Sequence, residues 1–211
     1  MSPNSYDYHN RDGILSLSWN DFHSVCRGIA RAAARFQPEL VLPIGRGGYY
    51  PGTLLAHMLQ AELYPIRLSR RVADRVTYQE PRWLIRPPGL ASGKRVLVVD
   101  EISSTGETIQ QVRKEVTRIG AAAVCSAVLV AHTAGLPFVD IAGLITDALV
   151  LNPWDREIFV DGEFLLNPEY RQAFGQQGRR MTPGDLVTGE ESAPAKSSVP
   201  GGQPPGKTGG S

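Results

Sequence analysis

The sequence predicts an α/β fold, a mostly parallel sheet flanked by helices. Short apolar runs alternate along the chain with stretches of helical periodicity, an order that calls for right-handed βαβ crossovers. One run, Val96, Leu97, Val98 and Val99, is continuously apolar with three β-branched residues, as suits a central strand buried on both faces. It ends in adjacent acids, Asp100 and Glu101, and then breaks into a hydroxyl-rich turn. Open α/β sheets bind ligands beyond the carboxyl ends of their strands, so the acids stand where a ligand would arrive.

The elements follow in order. Ser18-Trp19-Asn20-Asp21 makes a helix start, and Phe22, Val25, Cys26, Ile29 and Ala33 supply a stripe at helical spacing. Residues 40–44 read as the first core strand, 51–60 as a helix, 63–68 as the second strand and 96–99 as the third. A helix over 107–119 carries Ile109, Val112, Val116 and Ile119 on one face. Residues 124–130 form the fourth strand and 148–151 a last core strand. Beyond residue 174 the composition shifts to Gly, Pro, Ser and Gln, with too few large apolar groups to offset the entropy of ordering. The expected organisation is an N-terminal extension over 1–16, one domain over 17–174 and a disordered tail over 175–211.

A chain of 211 residues holds one domain with a real core, and a net charge of +1 with no basic stripe gives no footing for nucleic acid. Cys26 and Cys125 lack metal-ligand spacing and read as small core hydrophobes, which points to a reducing compartment. Residues 1–12 lack the basic and apolar blocks of a signal peptide, and no apolar stretch is long enough to cross a bilayer. A cytoplasmic protein without a membrane partner is the expectation. The tail contains a formal P-loop pattern, Gly201-x-x-x-x-Gly206-Lys207-Thr208, but no strand precedes it and two prolines interrupt it, so it is rejected.

Two segments carry chemistry. Ser104, Thr105, Gly106, Glu107 and Thr108 offer backbone N–H groups and hydroxyls at a helix start, a favourable place for a phosphate dianion. Asp100 and Glu101 can accept hydrogen bonds from vicinal hydroxyls. The bland alternative is a solvated acid pair with Ser104 or Thr105 as an N-cap. Gly45-Arg46-Gly47-Gly48 follows the first strand, its glycines letting backbone N–H groups approach an anion and Arg46 supplying a planar fork of donors. A dinucleotide fingerprint fits less well, because Tyr50 stands where GxGxxG needs its third glycine.

Residues 95–108 resemble the phosphoribosyl pyrophosphate (PRPP) signature of the type I phosphoribosyltransferases: apolar strand, two acids, a short variable stretch, then Thr/Ser-Gly-x-Thr/Ser. The resemblance, which runs over 17–159, implies that family's sheet with a small hood and a flexible lid loop. It implies that Asp100 and Glu101 hold the ribose hydroxyls and, directly or through water, Mg²⁺. Residues 104–108 would wrap the 5′-phosphate. Gly45, Arg46, Gly47 and Gly48 would bind pyrophosphate, with Asp100, Glu101 and Arg46 as the catalytic set. The long segment 69–92 would be the lid, from which Arg70 and Arg71 either close on pyrophosphate or simply stay solvated.

Ala131-His132-Thr133-Ala134-Gly135-Leu136-Pro137 and Asn152-Pro153-Trp154-Asp155 resemble the hood of bacterial xanthine-guanine phosphoribosyltransferases. That likeness places His132, Leu149, Trp154 and Asp155 at the base pocket. Three departures stand beside it. Ser104 replaces an aspartate that meets N7, His132 replaces a lysine that meets the 6-oxo group, and Leu149 falls where an aromatic would stack on the base. For Trp154 the alternative is a core aromatic with a satisfied N–H, and for His132 a surface or capping role.

The implied reaction moves a 5-phosphoribosyl group from PRPP to a base, most simply a 6-oxopurine, in nucleotide salvage. The anomeric carbon passes through an oxocarbenium-like state without a protein nucleophile, and Mg²⁺ arrives with PRPP. Ser104 cannot serve as a base at neutral pH, which leaves Asp147 or Asp155 where a proton must be removed. A homo-oligomer is also implied. The competing class is a regulator that senses PRPP or a nucleotide without turnover.

Overall fold

The computed structural model describes residues 11, 13–69, 71–72, 75–78 and 81–176. The elements are β1 (Ile14–Ser16), α1 (Trp19–Ala33), β2 (Leu40–Pro43), α2 (Tyr49–Leu59), β3 (Glu62–Leu63), β4 (Arg67–Ser69), β5 (Arg71–Val72), β6 (Arg75–Val76) and β7 (Arg82–Ile85). There follow β8 (Arg95–Ser103), α3 (Glu107–Ile119), β9 (Ala123–Ala131), β10 (Ile141–Ile145), β11 (Leu149–Leu151), β12 (Glu157–Val160), β13 (Glu163–Leu166) and α4 (Pro168–Gln176). A parallel five-stranded sheet in the order β10-β9-β8-β2-β3 forms the centre.

The apolar run of β8 is explained by cover on both faces. Leu97 and Val99 pack with Phe22, Cys26 and Ile29 of α1 and Leu55 of α2, while Val96 and Val98 pack with Ile109, Val112 and Val116 of α3. Helix α1 starts as its sequence requires: Ser18 Oγ accepts the Asp21 N–H at 3.1 Å, and Asp21 accepts the Ser18 N–H at 2.9 Å.

Four expectations change. The strand expected over 63–68 divides into β3, at the sheet edge, and β4, which turns away to pair antiparallel with β7. Pro65 lies at the division and has no N–H for a ladder. The expected lid loop over 69–92 contains two antiparallel strand pairs, β4 with β7 and β5 with β6, so it is built as a β-ribbon. Its strands are rich in arginine and only two to four residues long, too short for the alternation that marks a half-buried strand to show.

The core strand expected over 148–151 lies outside the central sheet and pairs in parallel with β1. The fifth central strand is instead β10, whose apolar run is interrupted by Gly143. A Cβ there would stand 2.4 Å from Val25 Cγ1 on α1 and 2.9 Å from the Leu129 carbonyl, so the helix can pack only on a glycine. Residues 14–16, assigned to an extension, therefore belong to the fold, and Arg156 ties them down by donating to Ser16 Oγ and the Leu17 carbonyl, both at 2.8 Å.

Helix α4 continues two residues past position 174 and packs Tyr170, Ala173 and Phe174 on Leu149, Leu151 and Leu166. The rest of the expected tail, with its P-loop pattern, lies outside the described residues. Cys26 is buried and Cys125 half-buried, both unpaired, and burial pushes their thiols up to about 12 and about 11, as suits core hydrophobes.

Candidate active site

Because β2 and β8 are neighbours in the parallel sheet, the glycine loop after β2 lies against the acids that end the apolar part of β8. A Cβ on Gly48 would stand 2.5 Å from the Ile44 carbonyl, 2.8 Å from the Val99 carbonyl and 3.0 Å from Asp100 Cα. On Gly47 it would stand 1.3 Å from Glu101 Oε2, so the Glu101 side chain lies directly across that glycine. The loop's glycines thus make room for the protein's own backbone and carboxylate. The Gly45–Arg46 peptide is cis. Tyr49 lays its ring on Gly45 and donates its hydroxyl to the Ile66 carbonyl at 3.1 Å, beside the Gly45 N–H at 2.8 Å.

The carboxylates of Asp100 and Glu101 end up adjacent and half-buried. Burial pushes Asp100 up to about 7, partly opposed by the Glu101 N–H that its Oδ1 accepts at 2.8 Å. Burial also pushes Glu101 up to about 8, reinforced by the charges of Asp100 and Asp155 and opposed by Arg46 and by the Trp154 indole N–H, which donates to it. Such a pair is poised to take hydroxyl donors or a cation. Among the described residues no three His, Cys, Asp or Glu side chains converge as a metal site. A divalent cation here would therefore need ligand oxygens in addition to Asp100 and Glu101, which is how Mg²⁺ is commonly held beside substrate phosphates.

The turn between β8 and α3 is fixed from behind. Ser103 is buried, its carbonyl accepts the His132 N–H at 3.0 Å, and its hydroxyl donates to the Gly135 carbonyl at 3.3 Å. Gly106 caps α3 at φ +80, where a Cβ would strike the Phe138 ring. It brings no side chain to the first-turn N–H groups, and Thr105 and Glu107 stand exposed on either side. Ser104 and Thr108 are half-buried. A helix start left open in this way is compatible with the anion site expected from the sequence.

The base-side residues fare differently. His132 is 2 % exposed, not at the surface, and its Nδ1 lies 2.5 Å from the Thr146 carbonyl, to which it donates. Burial lowers its pKa. Its carbonyl also caps a turn, accepting from Gly135 and Leu136 at 2.9 Å. Leu149 is buried among Leu166, Tyr170 and Phe174. Trp154 stacks on Tyr50 with centroids 4.5 Å apart at 12° and meets Phe22 edge-on at 5.1 Å. Trp154 is half-buried, and its indole N–H is satisfied by Glu101, which sets the ring beside the acid pair.

Asp147 accepts the Thr133 N–H at 2.9 Å and hydroxyl at 2.5 Å, and these bonds hold its pKa low. Asp155 faces the site instead: it accepts the Tyr170 hydroxyl at 2.5 Å and lies close enough to Glu101 to raise that residue's pKa. Arg71 is on β5, and Arg70 lies outside the described residues. Sequence reasoning missed Tyr50 and Tyr170. Pro168 after Asn167 is a helix-start signal that would have found the helix bearing Tyr170.

No helix among the described residues is long and apolar enough to cross a membrane. A family model described as the phosphoribosyl transferase domain matches residues 18–158. The xanthine-guanine phosphoribosyltransferase of Gluconobacter oxydans is 26% identical over 145 residues, 66% of this chain and 83% of that one. The adenine phosphoribosyltransferase of Synechococcus sp. is 31% identical over 119 residues, 53% of this chain and 67% of that one. The crystal structure of a purine phosphoribosyltransferase from Pyrococcus horikoshii superposes with a TM-score of 0.61 at 24% identity, covering 70% of this chain and 98% of that one. With the glycine loop, the paired acids and the turn over 104–108 gathered on one sheet edge, this chain belongs to the phosphoribosyl transferase domain family.

Proposed function

We propose that this protein transfers the 5-phosphoribosyl group of PRPP to a ring nitrogen of a 6-oxopurine and releases pyrophosphate, with Mg²⁺ as cofactor. The observation that carries the reading is the contact of Glu101 with Gly47, which joins the ribose side of the site to its pyrophosphate side. Asp100 and Glu101 orient the ribose by accepting from its hydroxyls. The turn over 104–108 fixes the 5′-phosphate, and Arg46 with the glycine-loop amides stabilises the departing pyrophosphate. The raised carboxylate pKa values suit Mg²⁺, which when bound would hold both acids ionised and neutralise leaving-group charge.

Purines as the base class follow from the related enzymes, which include both adenine and xanthine-guanine phosphoribosyltransferases. The 6-oxo preference is favoured by the likeness to the xanthine-guanine enzyme, which spans 145 residues against 119 for the adenine enzyme. The test is a panel of bases incubated with PRPP, with and without Mg²⁺, scored by pyrophosphate release. Xanthine, guanine or hypoxanthine should be the best acceptor, and chelation should abolish turnover. Preferential use of adenine would overturn the 6-oxopurine assignment, and PRPP binding without turnover of any base would favour a sensor.

A further inference from the structure

We propose that Tyr170, on the C-terminal helix, is a positioning residue of this site: its hydroxyl fixes the Asp155 carboxylate beside Glu101. The proposal rests on the phosphoribosyl-transfer reading and extends it beyond residue 158, where the family match ends.

Tyr170 is 6 % exposed, and its ring packs on Leu149, Leu166 and Phe174, a role phenylalanine could fill equally well. Its hydroxyl does something else. It donates to Asp155 Oδ1 at 2.5 Å and accepts the Asn152 main-chain N–H. The Asp155 main-chain carbonyl in turn accepts Asn167 Nδ2 at 2.9 Å. The segment over 167–170 therefore grips Asp155 at both its side chain and its main chain.

The place of that grip is informative. Asp155 follows Trp154, whose indole N–H donates to Glu101, so the segment that α4 grips is the one that reaches the acid pair. The Asp155 carboxylate is only half-buried, and the tyrosine hydroxyl makes one of the bonds that set its rotamer. Side chains held by such supporting bonds keep the geometry of a site fixed. By this reading α4 is part of the machinery that sets the geometry of transfer, although none of its residues need touch a substrate.

The test compares Tyr170→Phe, Asp155→Ala and the double variant in steady-state kinetics with PRPP and the best purine, alongside thermal melting. Tyr170→Phe should lower kcat about tenfold, the scale of one charged hydrogen bond, with Tm changed by only a few degrees. The same change should have no further effect in the Asp155→Ala background, because it acts through that carboxylate. Unchanged kcat in Tyr170→Phe, or an undiminished effect in the double variant, would overturn the proposal. Should Tyr170→Phe fail to fold, Asp155→Glu decides instead: it keeps the charge but displaces it, and wild-type kcat there would equally overturn the proposal. If wild-type protein releases no pyrophosphate with any base, the transfer reading has failed, an outcome distinct from an active wild type whose Tyr170 variants are normal.

Discussion

The sugar-phosphate side of the site and the hood side are built on different principles. On the first, the proposed sugar-phosphate side, the backbone shapes the surface. Gly47 and Gly48 bring one strand's loop onto the end of the next, and Gly106 opens a helix start toward the site. On the second, the side chains expected at a base are held by contacts within the protein: His132 by the Thr146 carbonyl, Leu149 by the C-terminal core, Trp154 by Tyr50 and Glu101, and Asp155 by Tyr170. The difference teaches that a glycine-shaped loop is a local property of the chain, whereas the setting of the hood side chains is a property of tertiary packing.

The harshest challenge to the sugar-phosphate side is Asp100→Asn with Glu101→Gln. Each charged hydrogen bond is worth roughly 1.5 to 3 kcal/mol, so kcat/KM should fall about a hundredfold or more. The fold should survive with an equal or higher Tm, because two half-buried, adjacent carboxylates lose their charge. Near wild-type turnover would remove the ribose assignment.

The glycines separate stability from function next. In Gly48→Ala the new methyl meets main-chain carbonyls that cannot move aside, so a loss of about 1–3 kcal/mol in stability should accompany lost activity. In Gly47→Ala it meets the end of a side chain, so Glu101 is displaced, activity falls by tenfold or so and melting changes much less. Equal melting temperatures for the two variants would show that the loop does not pack on β8 as described.

This contrast also explains what was legible in the sequence. Val96 to Glu101 announce a doubly covered strand and its ligand edge because each signal is adjacent in the chain. Gly143 hid β10, since the reason for the glycine is a helix more than a hundred positions away. The Arg-rich ribbon strands run two to four residues, too few to show a period, and β1 is three residues long, identifiable only through its partner β11. Tyr170 meets Asp155 through a hairpin that the sequence does not mark, and the partner of the Trp154 N–H lies 53 positions earlier, at Glu101.

Smaller effects sharpen the hood side. Trp154→Phe retains an aromatic ring for Tyr50 but deletes the donor to Glu101, so kcat should fall by up to about tenfold with little change in melting. Leu149→Ala should do the reverse, costing about 2–5 kcal/mol of stability while leaving the preference among purines unchanged. A shift in base preference in Leu149→Ala would restore that residue to the pocket and undo half of the contrast.

The smallest effect concerns His132 and pH. Burial disfavours its charged form and lowers its folded-state pKa, although the Thr146 carbonyl and Asp147 pull the other way. An unfolded histidine titrates near 6.5, so the unfolded chain binds more protons at that site as pH falls. Its contribution is fully present above about 6.5 and is lost progressively below it. Asp147 also has a lowered pKa, but its window lies below the ordinary aspartate value of 3.8, so the two do not overlap. Melting followed from pH 8 to 5 should therefore fall less steeply for His132→Asn, whose amide can still donate to Thr146, than for the wild type. At pH 8 the variant should keep nearly wild-type KM for the preferred purine, because the ring is bonded to main chain and buried. A several-fold rise in that KM at unchanged Tm would place His132 in contact with the base, and the hood would then contain one site residue that its packing conceals.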